Sequence, residues 1–439
     1  MNMDRRTILK AAGALVAPLL VDPKRMSSAL LDGAFPSGFL WGAATAGHQV
    51  EGNNVASDLW MLEHTTPTVF PEPSGDAVNS FELWPVDLDL VRSIGLNTYR
   101  FSLEWARIEP EPGMFSLAML DHYKAVIAGC RERGLMPMVT FNHFTAPRWF
   151  AAQGGWTNPN APDLFARFCD RAARHMAGGI EYALTFNEPN LLRLLRGILP
   201  PQMLDVQRAM LAAAARALGT PRFVSANVAN QEDIDTMLPL MIAGHKAGRA
   251  AIKAVRADLP VGVSLAFVDD QAVGENSLRD ARRADIYGVW LNAARGDDFL
   301  GVQNYGRTRW DAKGPMAPPP RAIRNWSGGE VYAPSLAGAV RYAHEATGLP
   351  IVVTEHGVGT DDDAIRAELI PAALAELQVA MKEGVPVKGY VHWSLVDNFE
   401  WVFGYKPHFG LCGVDRTTFR RTPKPSAAVL GAIARRNAL

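Results

Sequence analysis

Two short apolar stretches of this chain each end in a carboxylate. In "ALTFNEPN", residues 183–190, core-type residues run into Asn187 and Glu188 and are clipped by Pro189. In "VVTEHG", residues 352–357, Glu355 ends a run of the same kind. An acid in that position is either held in a structural ion pair or tuned for reaction, because burial and neighbouring charge perturb both. Two such acids facing one another suit cleavage of a glycosidic bond: one protonates the leaving oxygen, the other serves as base or nucleophile on the opposite sugar face. The pair also suits metal binding or proton abstraction. No further acid or histidine has ligand-like spacing to either, so no metal and no other cofactor is expected.

Glu188 and Glu355 are far apart in sequence, so only the fold can bring them together. Eight short apolar runs alternate with helix-period segments: "GFLWGAATAG", "NTYRFSLEW", "MPMVTFNHF", "YALTFNEPN", "VGVSLAFVDD", "FLGVQNYGR", "PIVVTEHGVG" and "VKGYVHWSLVDN". Several intervening helices stop at Gly or Pro just before the next strand, as at Gly134, Pro260 and Gly384. Eight strand-then-helix units without a linker predict a single α/β domain, a (β/α)8 TIM barrel with extended βα loops, over residues 30–439. The stretch from Pro200 to about Asp235 looks less regular and is expected to form an insertion. "GPMAPPP", from residue 314, is expected to be a surface loop. In such a barrel the strand C-termini build the active site, which answers why both acids stand at strand ends.

The bulk numbers narrow the partners. A net charge of −1 over 439 residues offers no electrostatic case for nucleic acid or an anionic membrane. Cys130, Cys169 and Cys412 are odd in number and scattered, so buried unpaired thiols are expected, with no disulfide framework. Eleven Trp and nineteen Phe are numerous; most belong in a core, and a few offer faces on which a sugar can stack. At the N-terminus, "DRRTILKAAGALVAPLL" sets Arg5 and Arg6 before a broken apolar run, the pattern of a twin-arginine signal over residues 1–29. That run is too short to span a bilayer. Periplasmic or secreted localisation, with no membrane span after signal removal, follows as an expectation.

The chain resembles glycoside hydrolase family 1, the β-glucosidase family of retaining (β/α)8 enzymes, from Phe35 to about Pro425. The matching motifs stand in the right order: "FLWGAATAGHQVEG", "YRFSLEW", "FNHF", "TFNEPN", "TEHG" and "WSLVDNFEW". The resemblance implies Glu188 as general acid/base and Glu355 as nucleophile of a retaining O-β-glycosidase acting on a small-molecule β-glycoside, glucosides first. It implies Arg100, Asn187 and Tyr305 as supporting groups: Arg100 and Tyr305 beside the nucleophile, Asn187 toward the sugar 2-hydroxyl. Gln49, His143, Phe144, Gln303, Trp393, Glu400 and Trp401 fall at substrate-binding positions. Four positions depart from the family pattern. Phe144 stands where Trp is usual, Gln303-Asn304-Tyr305 where Asn-Tyr-Tyr is usual, keeping only the second Tyr, and His356 where Asn is commoner.

Two rival readings follow from the same residues. A non-catalytic sugar-binding barrel would need only the aromatics and hydrogen bonds, but this chain keeps both acids together with Arg100 and Tyr305. A transglycosidase, or a β-galactosidase or β-fucosidase, would share the covalent intermediate and differ in acceptor or glycone.

Overall fold

A computed structural model describes residues 33–439; the predicted signal, residues 1–29, lies outside the described residues. Eight parallel strands close into a barrel: β1 (Leu40–Ala44), β2 (Thr98–Ser102), β3 (Met136–Asn142), β4 (Tyr182–Asn187), β5 (Val261–Ala272), β6 (Leu300–Asp311), β7 (Ile351–His356) and β8 (Val387–Trp393). Each pairs with its sequence neighbours, and β8 pairs with β1 to close the ring. All eight apolar runs of the sequence are these strands. Helices α1 (Ser80–Ile94), α2 (Leu117–Glu132), α3 (Ala161–Met176), α4 (Ile234–Val255), α5 (Val289–Ala294), α6 (Ser335–Thr347), α7 (Asp363–Lys382) and α8 (Pro425–Arg436) follow them in turn.

Local chemistry sets the helix ends. Ser116 caps α2 by accepting from the backbone N–H of Met119, and Asp362 caps α7 by accepting from that of Ala364 at 3.0 Å. Just past α2 the chain reverses through Gly134, whose φ of 68° suits glycine best. The stretch after Pro200 differs from expectation: Pro201–Ala217 is a regular 17-residue helix. A proline in the first helical turn forfeits no intrahelical bond, so Pro201 starts a helix within the stretch that looked less regular.

Register places the chemistry. Along β6 and β7, Val302 pairs with Val353 but Gln303 pairs with Glu355, so Thr354 is an extra residue and a bulge sets Gln303 opposite Glu355. At the next turn Gly357 lets β7 and β8 approach closely; a Cβ there would lie 2.2 Å from the Trp393 carbonyl oxygen. Strands β5 and β6 run on beyond the rim, pairing from Asp269–Arg307 to Ala272–Trp310 as a two-stranded ribbon beside the mouth.

Two apolar layers hold the barrel. Inside it, Leu40, Met138, Leu184, Val352 and Val391 form one buried cluster. Between strands and helices, Trp156, Phe165 and Phe186 interlock, with Phe165 and Phe186 stacked at 4.6 Å. Most of the aromatic residues are thus core, and all three cysteines are buried free thiols. At the N-terminal ends of the strands the two ends of the described chain are stapled together. The Phe35 N–H donates to the Asn437 carbonyl at 2.8 Å, and the Trp41 indole donates to the Asn437 side chain at 2.9 Å.

Candidate active site

Glu355 arrives at the barrel mouth on the end of β7, 4% exposed, and meets three donors. Arg100 Nη1, from β2, reaches its Oε1 at 2.5 Å, and Gln303 Nε2 reaches the same oxygen at 2.8 Å. Tyr305 donates to Oε2 at 2.5 Å. Arg100 is wholly buried, so its charge is little screened by solvent, and it is held by Thr140 Oγ1 and the Thr354 carbonyl, each at 3.2 Å. Asn187, at the end of β4, accepts from Arg100 Nη2 and from Gln303 Nε2, both at 2.6 Å.

Glu188 differs in kind. It sits one residue past β4 with φ 43°, a left-handed conformation that turns the chain over the mouth, and its N–H donates to the Ser264 carbonyl at 2.8 Å. No donor among the described residues serves its carboxylate. Burial first, then the negative field of Glu355, holds the Glu188 carboxyl well above the ordinary range, against the pull of Arg100. Burial also raises Glu355, but there Arg100 and the Tyr305 hydroxyl oppose it by stabilising the anion. Glu355 is therefore the first of the pair to ionise and Glu188 the one that keeps its proton.

The mouth opens into a cavity of 410 Å³. Every residue given a catalytic, supporting or substrate-binding role from the sequence lines it except Arg100, which lies beneath its floor. Gln49 turns its amide N–H groups to Asn398 Oδ1 and the Phe399 carbonyl, at 2.9 and 2.7 Å, leaving a buried acceptor oxygen free. His143 lies nearly parallel to Trp393, with centroids 5.7 Å apart. Burial, seconded by Arg100, keeps it neutral, and its buried Nδ1 has no partner. The Trp393 indole donates to Glu400 Oε1 at 3.3 Å, and burial raises the Glu400 carboxyl well above its ordinary range. Phe144 closes one wall edge-on to Trp401. His356 points away from the cavity, bonded at 2.9 Å to the Tyr390 hydroxyl, so that departure from the family pattern leaves the acids untouched.

A polar layer behind this ring escaped sequence reasoning. His48 stacks face-to-face on Trp401, 6° from parallel, and pairs with buried Glu63 at 2.7 Å. Burial works to lower the His48 pKa, but the Glu63 charge and hydrogen bond outweigh it, so the ring's pKa lies above its ordinary value. Glu104 accepts from the His48 N–H, Asn54 and Thr145, and burial lifts its carboxyl to about 7. His48 and Glu104 stand inside "AGHQVEG" and "SLEW", which is the one signal that could have pointed to them. Among the described residues no cluster of His, Cys, Asp or Glu could hold a metal ion, and no helix is long and apolar enough to cross a membrane.

Comparison with known proteins agrees with this geometry. The model of glycosyl hydrolase family 1 matches residues 31–250 and 324–439. Beta-glucosidase A of Thermotoga maritima is 27% identical, over 92% of this chain and 98% of its own. The beta-glucosidase of an Agrobacterium species is 28% identical, over 94% and 97%. Among solved structures, beta-glycosidase BGL167 shares 46% identity with a TM-score of 0.86, covering 92% of this chain and 98% of its own. The apo structure of beta-glucosidase 1317 shares 41% identity with a TM-score of 0.87, over 91% and 98%. A closed parallel barrel, two acids of opposite hydrogen-bonding character at its mouth and a family match over most of the sequence lead to one assignment: this chain is a glycosidase and belongs to glycosyl hydrolase family 1.

Proposed function

We propose that the protein is a retaining β-glucosidase in which Glu355 is the nucleophile and Glu188 the general acid/base. One observation carries the division of roles: three donors converge on Glu355, and among the described residues none serves the Glu188 carboxylate. A carboxylate so held is stabilised as an anion ready to attack C1, while its neighbour keeps the proton that the leaving oxygen needs. When Glu355 becomes a glycosyl ester its charge vanishes. Glu188 then loses the field that raised its pKa and becomes the base that activates water for the second displacement. Three carboxyls, Glu188, Glu355 and Glu400, line the cavity together with the ion pair of Arg307 and Glu330, and Arg100 lies beneath them. Both guanidiniums are already paired with a carboxylate, Arg100 with Glu355 and Arg307 with Glu330, which leaves no free cation among the described residues to hold an anionic sugar and supports a neutral glycone; the names of the relatives support glucose.

The test exploits the two faces of the sugar. Glu188→Ala should lose roughly 10²-fold or more in glycosylation of poor leaving groups, since general acid–base catalysis supplies about 10²–10⁴. An activated aryl glucoside should still load Glu355, and added azide should release a β-glucosyl azide. In Glu355→Gly the same anion should attack the other face and yield the α-azide. NMR of the products distinguishes them, and reversed anomers would exchange the two roles. The wild-type enzyme should release the β-anomer first.

A further inference from the structure

Gln303 is 1% exposed, and its Nε2 donates to two oxygens, Glu355 Oε1 at 2.8 Å and Asn187 Oδ1 at 2.6 Å. Arg100 reaches the same two oxygens from its two terminal nitrogens, at 2.5 and 2.6 Å. Each oxygen thus accepts twice, once from a cation and once from a neutral amide. The arrangement fixes the Asn187 amide: turned over, its NH2 would face two donors. With Oδ1 held inward, Nδ2 is left toward the cavity that Asn187 lines, and no acceptor among the described residues takes it. Gln303 Oε1 is itself buried without a partner, so the side chain is tied through its donor end alone. The bulge that sets Gln303 opposite Glu355 makes this double reach possible.

We infer that Gln303 is a positioning residue that works with Arg100 to hold the Glu355 carboxylate and to turn the Asn187 amide toward the 2-hydroxyl of the bound glycoside. The inference rests on the glycosidase reading above. A contact to the 2-hydroxyl strengthens in the transition state, so loosening Asn187 should slow the chemical step more than it weakens binding.

Gln303→Met keeps the length of the side chain and removes the donor; Gln303→Asn keeps the donor but cannot span both oxygens. The kcat/KM of each is compared for 4-nitrophenyl β-glucoside and its 2-deoxy analogue. Gln303→Met should lose roughly tenfold or more on the glucoside, as expected when a charged acceptor loses a hydrogen bond. The loss on the 2-deoxy analogue should be several-fold smaller, because no hydroxyl is left for Asn187 to meet. Its acid limb should also move to higher pH, since Glu355 loses a donor to its ionised form. Gln303→Asn should fall between wild type and Gln303→Met. Equal proportional losses on both substrates would overturn the inference, because a merely structural residue would penalise both alike. Should Gln303→Met fail to fold, Gln303→Asn makes the same comparison. Wild-type inactivity on every β-glycoside would remove the underlying reading, whereas an active wild type with equal losses removes only this one.

Discussion

Protons on Glu355 and Glu188 set how the reaction answers to pH. Glu355 must be ionised and Glu188 protonated, so kcat/KM should rise as the first loses its proton and fall as the second does. Burial raises both above the ordinary 4.5, so both limbs of the bell should lie to its alkaline side. Glu188→Gln, assayed with an activated aryl glucoside, should lose the alkaline limb and keep the acid one. Arg100→Met should push the acid limb upward, because the guanidinium is the charge that holds Glu355 down. An alkaline limb that survived in Glu188→Gln would belong to another group. The acids were legible in the sequence because each ends an apolar run. The clamp on Asn187 was not, since it depends on a one-residue bulge that shifts Gln303 against Glu355 and leaves no trace in residue type.

Between β7 and β8 the spacing of two elements decides the shape of the site. A Cβ on Gly357 would meet the Trp393 carbonyl oxygen at 2.2 Å, so Gly357→Ala must push the strands apart just where Trp393 forms the cavity floor. Overpacking of this kind costs about 1–3 kcal/mol, more than the few tenths to about 1 kcal/mol gained by restricting the unfolded chain. A lower melting temperature and reduced kcat/KM on aryl glucosides are expected together; an unchanged Tm would mean that β8 yields freely. The eight strands were readable from apolar runs bounded by turn residues. What was not readable lies at the edges of elements. The runs on β5 and β6 gave no notice that pairing continues to Ala272 and Trp310, because past the rim the residues turn polar while the backbone bonds go on. That ribbon falls in residues 251–323, the segment the family model leaves unmatched.

For the molecule as a whole, buried acids make stability depend on pH. Asp58 is lifted by burial from 3.8 to about 6, and Glu104 from 4.5 to about 7. The folded state therefore holds protons that the unfolded chain has released, and these two groups make stability fall as pH rises from about 4 toward 7. Asp58→Asn should flatten the lower part of that fall in urea titrations run at several pH values; an unaltered slope would mean that Asp58 ionises alike in both states. We also propose that Arg5 and Arg6 direct export, and replacing both with Lys should strand active enzyme in the cytoplasm. The stapling of Phe35 to Asn437 at the N-terminal ends of the strands bears on that proposal. The molecule has a handle at one pole and a mouth at the other. Gly33, the first described residue, stands at the handle, its carbonyl accepting from Gln378 Nε2 at 2.8 Å, with the length of the barrel between it and the mouth. On the proposed export reading, trimming the leader should be no activation step: the full chain should hydrolyse aryl glucosides with the same kcat/KM as residues 30–439, and a precursor with lower kcat/KM would overturn this.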